Sequence, residues 1–126
     1  MKGRMRARLK SLRSDEIPEL ARYVPPEPDR FAVPLVMEVG ALGLPGRERF
    51  ELLAVTPRWL QGRHGGQGLV VGHGLLIVFE WDFGRIRGYL ARQVEACTGR
   101  TWPEVAKKVG RLGTWEGDDE NVVGLS

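Results

Sequence analysis

Thr56-Pro57-Arg58-Trp59-Leu60 decides how this chain turns, because it ends an alternating apolar pattern and starts a helix almost at once. The Thr56 hydroxyl can accept from an amide one turn on, and Pro57 suits the first helical position, where a missing N–H costs nothing and φ is preset. Trp59 and Leu60 then begin an apolar face. Just upstream, from about Arg49 to Val55, Phe50, Leu52 and Ala54 fall on one side and Leu53 and Val55 on the other. That is the period of a strand, and its two partly apolar faces call for a covering layer on at least one side.

Further upstream, Gly43, Pro45 and Gly46 supply turn chemistry, and Phe31, Val33, Leu35, Met37 and Val39 share one side of a preceding strand, so a hairpin is expected. Pro34 lies within that strand and cannot donate to a ladder. It must face away from a partner, or sit at a bulge or an edge. The first strand is read from Met5 to Leu9, where apolar positions alternate with Arg4, Arg6, Arg8 and Lys10. Between these strands, Ser14 to Arg30 carries Pro18, Pro25, Pro26 and Pro28 and reads as an irregular connection with one helical turn near Glu19 to Tyr23, pinned to the core by Tyr23.

Downstream, Gln61 to Gly74 holds six glycines and both histidines and reads as a mobile loop. Leu75 to Glu80, an apolar run ended by an acid, has the length of a buried fourth strand. Asp82 is a candidate N-cap, after which Phe83, Ile86, Leu90, Val94 and Cys97 recur at helical steps. Thr101 and Glu104 have capping-box spacing, Pro103 fits a first turn, and Trp102, Val105, Val109 and Leu112 mark a second helix. Trp59 and Trp102, each in a first helical turn, are expected in the core. Strands gathered first and helices afterwards specify an α+β fold: a four-stranded, mainly antiparallel meander, covered on one face by two C-terminal helices, with one short helix after strand 3.

At 126 residues, 42% hydrophobic, the chain is expected to form a single domain over 1–126, with a basic first strand at 4–12 and an acidic tail at 116–126. The apolar run from Gly65 to Phe79 is too broken by glycine to span a membrane, so no membrane partner is expected. The basic start lacks the apolar region and cleavage site of a secretory signal, and Cys97 is the single cysteine; both point to the cytoplasm. Net charge is +3, but Lys2, Arg4, Arg6, Arg8, Lys10 and Arg13 crowd one end while Glu116, Asp118, Asp119 and Glu120 crowd the other. Such asymmetry suits an electrostatic partner, although solvated ends are the commoner reason for it.

No constellation of catalytic or metal-binding residues emerges. His64 and His73 have no cysteine or acid in their loop to complete a ligand set, and the glycines around them spell neither a dinucleotide fingerprint nor a phosphate loop. Glu80 and Asp82 flank Trp81, but Asp82 has a capping role ready for it. Cys97 falls on an apolar helical stripe, and Ser11, Ser14 and Ser126 lack a nucleophile elbow. The expectation is no enzyme, no catalytic residue, no cofactor, no metal and no small-molecule substrate.

Thr-Pro-Arg-Trp-Leu at 56–60, Thr-Trp-Pro-Glu at 101–104 and Trp-Glu at 115 and 116 together resemble the immunity protein 8 family of bacterial polymorphic toxin systems. Leu12-x-Ser14-x-x-Ile17, Tyr23-x-Pro25, Pro28-Asp29-x-Phe31, the glycine hairpin before Phe50, and Asp82 ahead of the long helix follow the same order, over roughly residues 5–116. Two positions depart from the pattern. Gly117 stands where the family usually continues with an aromatic and acids, and Val55 where a cysteine often precedes Thr-Pro.

The resemblance implies an α+β protein that binds a cognate toxin domain and performs no catalysis. On that basis Trp115, Glu116, Asp118, Asp119 and Glu120 are the candidate toxin contacts, Trp115 as an aromatic anchor and the acids as the source of steering. The alternative is a small nucleic-acid-binding module that tracks phosphates with Arg4, Arg6, Arg8 and Lys10. No aromatic rings interleave those cations, so a solvated strand face ranks ahead of it and nucleic acid is not the expected partner.

Overall fold

The computed structural model describes residues 4–116. Among them the chain forms β1 (Met5–Arg13), β2 (Ala32–Ala41), β3 (Glu48–Val55), α1 (Pro57–His64), β4 (Leu75–Ile77), α2 (Phe83–Glu95), β5 (Thr98–Gly99), α3 (Trp102–Val109) and β6 (Thr114–Trp115). The fold is α+β, with strand order β4-β3-β2-β1-β5 and β6 set against β3.

The meander holds for three strands only. β1, β2 and β3 are successive antiparallel neighbours, but β4 runs parallel to β3, with Leu53, Ala54 and Val55 opposite Leu75, Leu76 and Ile77. The four-stranded antiparallel expectation is corrected here, and the cause is α1: a helix between two adjacent strands returns the chain to its starting end, so the next strand must enter parallel. The fourth strand is also shorter than expected, because Val78 to Glu80 bend away towards the α2 cap. Two-residue strands β5 and β6 carry no periodicity by which a sequence could announce them.

Val33, Leu35, Met37 and Val39 of β2 and Phe50, Leu52 and Ala54 of β3 form the buried face, all at most 6% exposed. Onto it pack Ile86, Leu90 and Val94 of α2 and Val105, Ala106 and Val109 of α3, the two covering helices expected. In β1 a bulge between Leu9 and Ser11 shifts the alternation, so Ala7 and Leu9 face the core before it and Leu12 after it. Pro34 lies opposite Leu53, whose amide is spent on the Gly74 carbonyl across the other edge of β3. The Pro34 nitrogen therefore points away from β3, to the side where β1 has already ended at Arg13, and no ladder bond is lost.

Thr56 is fully buried and holds the junction together. Its hydroxyl accepts from the Trp59 amide, capping α1, and from the Phe31 amide at 3.1 Å, which ties the start of β2 to the end of β3. The helix it caps is less buried than expected: α1 has no buried residue, and Trp59 is half-exposed with its ring edge on His64, 5.9 Å away. Only Trp102 of that pair packs against the core. Gln61 to Gly74 is likewise not all loop, since α1 runs to His64 and a 3-10 turn follows at Gly65–Gln67. Tyr23 follows a 3-10 turn at Leu20–Arg22 and meets Trp81 edge to face at 5.7 Å, and Phe31 does the same at 5.8 Å, so the proline-rich connection is pinned as expected.

Candidate partner-binding site

α3 and β6 close the sheet through one carboxylate. Thr101 accepts from the Glu104 amide and Glu104 from the Arg100 amide, a reciprocal cap that fixes where α3 begins. Trp102, in its first turn, donates its indole N–H to Glu48 Oε2 at 2.7 Å, and Trp115 of β6 donates to the other oxygen of the same carboxylate. Trp115 also stacks on Phe50, with centroids 6.0 Å apart and planes 14° from parallel. β6 can lie this close only because residue 113 is glycine: a Cβ there would stand 2.8 Å from the Glu51 carbonyl oxygen.

Trp115 therefore presents a half-buried ring to the sheet rather than a free anchor to solvent. Glu116, next along, is exposed; its amide donates to the Arg49 carbonyl, and its carboxylate accepts from the Arg49 amide at 3.3 Å. The two residues form an ordered exit from β6. Asp118, Asp119 and Glu120 lie outside the described residues.

Beside this exit, the sheet face opposite the helices carries an ionic strap. Asp15 bonds Arg13 of β1 at 2.5 Å and Arg49 of β3 at 2.8 Å, so one carboxylate bridges two strands across β2. Arg49 also meets Glu51 at 2.9 Å, while Glu38 of β2 takes Ser11 at 2.7 Å and Arg47 at 2.9 Å. Val36, with Arg13 and Glu51 as register neighbours, is only 3% exposed. The bond from Arg49, with that from Arg13, holds the Asp15 carboxyl below its ordinary range, and the bonds from Ser11 and Arg47 do the same for Glu38. Both arginines are raised in turn, each chiefly by its bond to Asp15.

The basic strand is largely engaged within the molecule. Arg4 donates to the Thr98 hydroxyl at 2.9 Å, Arg6 to the Glu95 carbonyl at the end of α2 at 2.9 Å, and Lys10, lifted by the bulge, to the carbonyls of Leu44 and Gly46 in the hairpin. That hairpin folds so tightly that a Cβ on Gly40 would lie 2.3 Å from the Gly46 carbonyl oxygen. Arg8 projects into solvent. Three of the four cations thus fasten β1 to its neighbours, and they do not line up as a free row of charges.

The remaining candidates stay apart. His64 bonds Gln67 at 3.1 Å, and His73 is exposed in its loop. Asp82 caps α2, accepting from the Arg85 amide at 3.0 Å. Cys97 is buried, its thiol pushed up by that burial and donating to the Gln93 carbonyl. Among the described residues no three His, Cys, Asp or Glu side chains group as a metal site would need, and no helix is long and apolar enough to cross a membrane.

Sequence reasoning did not find Glu48, because its partners stand 54 and 67 positions further on and no local spacing links them. It also passed over the exposed pair Phe79 and Tyr89 beside β4, which read as part of a buried strand and as one more helix residue.

No curated protein and no solved structure matches the chain. The family model described as immunity protein 8 matches residues 7–120, nearly its whole length, and includes Thr56-Pro57, the α3 cap and the Trp115-Glu116 exit. The chain belongs to the immunity protein 8 family.

Proposed function

We propose that this protein neutralises a cognate bacterial toxin domain by binding it in a stoichiometric complex, with no turnover, in the cytoplasm of the cell that makes both. Family membership over residues 7–120 carries this reading. Glu116, Asp118, Asp119 and Glu120 are the acidic residues that meet the toxin, and the pairing of β6 with β3 fixes Trp115 and Glu116, where this acidic run of the sequence begins. Steering by such a run raises the rate of encounter and selects among partners. The chemistry that the toxin performs does not enter the argument, since an occluding inhibitor needs only a complementary surface. The nucleic-acid alternative draws no support from Arg4, Arg6 and Lys10, whose donors point into the protein's own carbonyls and hydroxyls.

Co-expression with the toxin domain encoded beside this protein tests the proposal. Growth is rescued, and the two proteins copurify one to one. Reversing Glu116, Asp118, Asp119 and Glu120 to lysine slows association by about tenfold or more at low salt. A toxic neighbour that is neither bound nor neutralised refutes the reading, and unchanged association of the reversed variant refutes the role of these acids.

A further inference from the structure

β4 is the last strand of the sheet and its outer edge carries no further strand among the described residues. Gly74 and Val78 bond to β3, so strand alternation turns the Ile77 amide and carbonyl outward. The strand reads Leu-Leu-Ile, without the charge or proline by which edges usually repel pairing. Along it runs a groove of about 560 Å³ between Leu76 to Glu80 on one wall and Asp82, Arg85, Ile86, Tyr89 and Arg92 of the α2 side on the other. Ile77, Phe79 and Tyr89 are 52%, 78% and 42% exposed there. Apolar rings gathered so openly beside a free edge mark an interaction surface.

The charges of the groove say what fits it. Glu80 stands two residues before Asp82, the N-cap of α2, and Arg92 lies in the third turn of that helix, about 15 Å beyond Asp82 at the helical rise. Neither makes an ion pair among the described residues, while Asp82 and Arg85 answer each other at 4.0 Å. With Arg85 answered by Asp82, the groove carries Glu80 at one end and Arg92 at the other, with Ile86 and Tyr89 between, and such an arrangement is complementary to itself when turned about a two-fold axis, as an isologous contact requires. We infer that a second copy of this chain occupies it: β4 pairs antiparallel with β4, each Phe79 packs over the other copy's Tyr89, and each Glu80 faces the other copy's Arg92. The contact goes beyond the immunity reading and needs no toxin.

Sedimentation equilibrium of the full chain over about 1–500 μM decides it, the range in which standard two-fold contacts of modest size assemble. The mass rises with concentration to twice 14.1 kDa. Glu80→Arg and Arg92→Glu, both at exposed positions, each weaken dimerisation by about tenfold or more through like-charge contact. An equimolar mixture of the two variants, or the double variant, regains it. A mass that stays monomeric throughout overturns the inference, as does a dimer insensitive to both reversals or a mixture that does not recover. The first result with toxin binding lost in Phe79→Ser assigns the groove to the toxin instead.

Discussion

Glu48 offers the sharpest quantitative test of how the C-terminal part of the chain is held. Glu48→Ala removes the acceptor from the Trp102 and Trp115 indoles together. A hydrogen bond to a charged group contributes about 1.5–3 kcal/mol, but both rings are half-buried and water recovers part of the loss, so the expected cost is about 2 kcal/mol in all. That corresponds to a fall of about 8 °C in Tm for a domain of this size. Glu48→Gln keeps one acceptor oxygen and turns its amide N–H₂ towards the second indole donor, so it costs about 1 kcal/mol or slightly more. Trp115→Phe keeps much of the stacking on Phe50 and deletes one donor. In that background, Glu48→Gln should cost less by about 1 kcal/mol, because the amide oxygen then serves Trp102 alone. Urea denaturation followed by far-ultraviolet circular dichroism measures all four corners of the cycle. A coupling below about 0.3 kcal/mol refutes the shared-carboxylate account, as that is the range in which independent sites simply add.

Thr56→Val deprives the Phe31 and Trp59 amides of their common acceptor in a fully buried setting, so it should cost about 3 kcal/mol by denaturant titration, whereas Thr56→Ser, which keeps the hydroxyl, should cost about 1 kcal/mol. Leu90→Ala empties a fully buried site between α2 and the sheet and should cost about 2–5 kcal/mol; a smaller loss would mean that α2 relaxes inward. Asp15 and Glu38 have folded pKa values depressed below the unfolded ones of about 3.9 and 4.3, so their contribution is complete above those unfolded values and disappears as pH falls through the folded ones. Urea midpoints should therefore be flat from pH 7 to about 5 and drop below about 4, and Asp15→Asn should flatten part of that drop; an identical drop in the variant would remove Asp15 from the account.

Where information was local, the chain declared itself. Thr56-Pro57, Asp82 and Thr101 each cap the helix they were read to cap, because a cap is a relation between residues three apart. The alternation in Phe31 to Val39 likewise marks the buried face, since one side of β2 meets the helices. The direction of β4 was legible in principle, as α1 between two neighbouring strands forces a parallel return, but a three-residue strand weakens the signal. The strap of Arg13, Asp15 and Arg49 was not legible, nor was the engagement of Arg4, Arg6 and Lys10. Long cationic side chains choose partners by what tertiary structure brings within reach, and alternation reports only which face they leave from. Trp115 shows the same limit from the other side: its place in the pattern was evident, but whether its ring faced a partner or the sheet depended on Phe50 and Glu48.

The outer edge of β3 is divided between β4 and β6, and that division has a consequence for manufacture. Glu48 leaves the ribosome 67 residues before the tryptophan whose indole it receives. At about 5–20 residues per second, the edge bearing Phe50 waits about 3–13 s for its last strand. During that interval a nascent chain offers an aromatic ring and an open ladder to whatever is nearby. Under the proposed function, a cell that relies on this protein has a delay between starting a molecule and possessing a finished one, and toxin released within that delay would be met only by copies already complete.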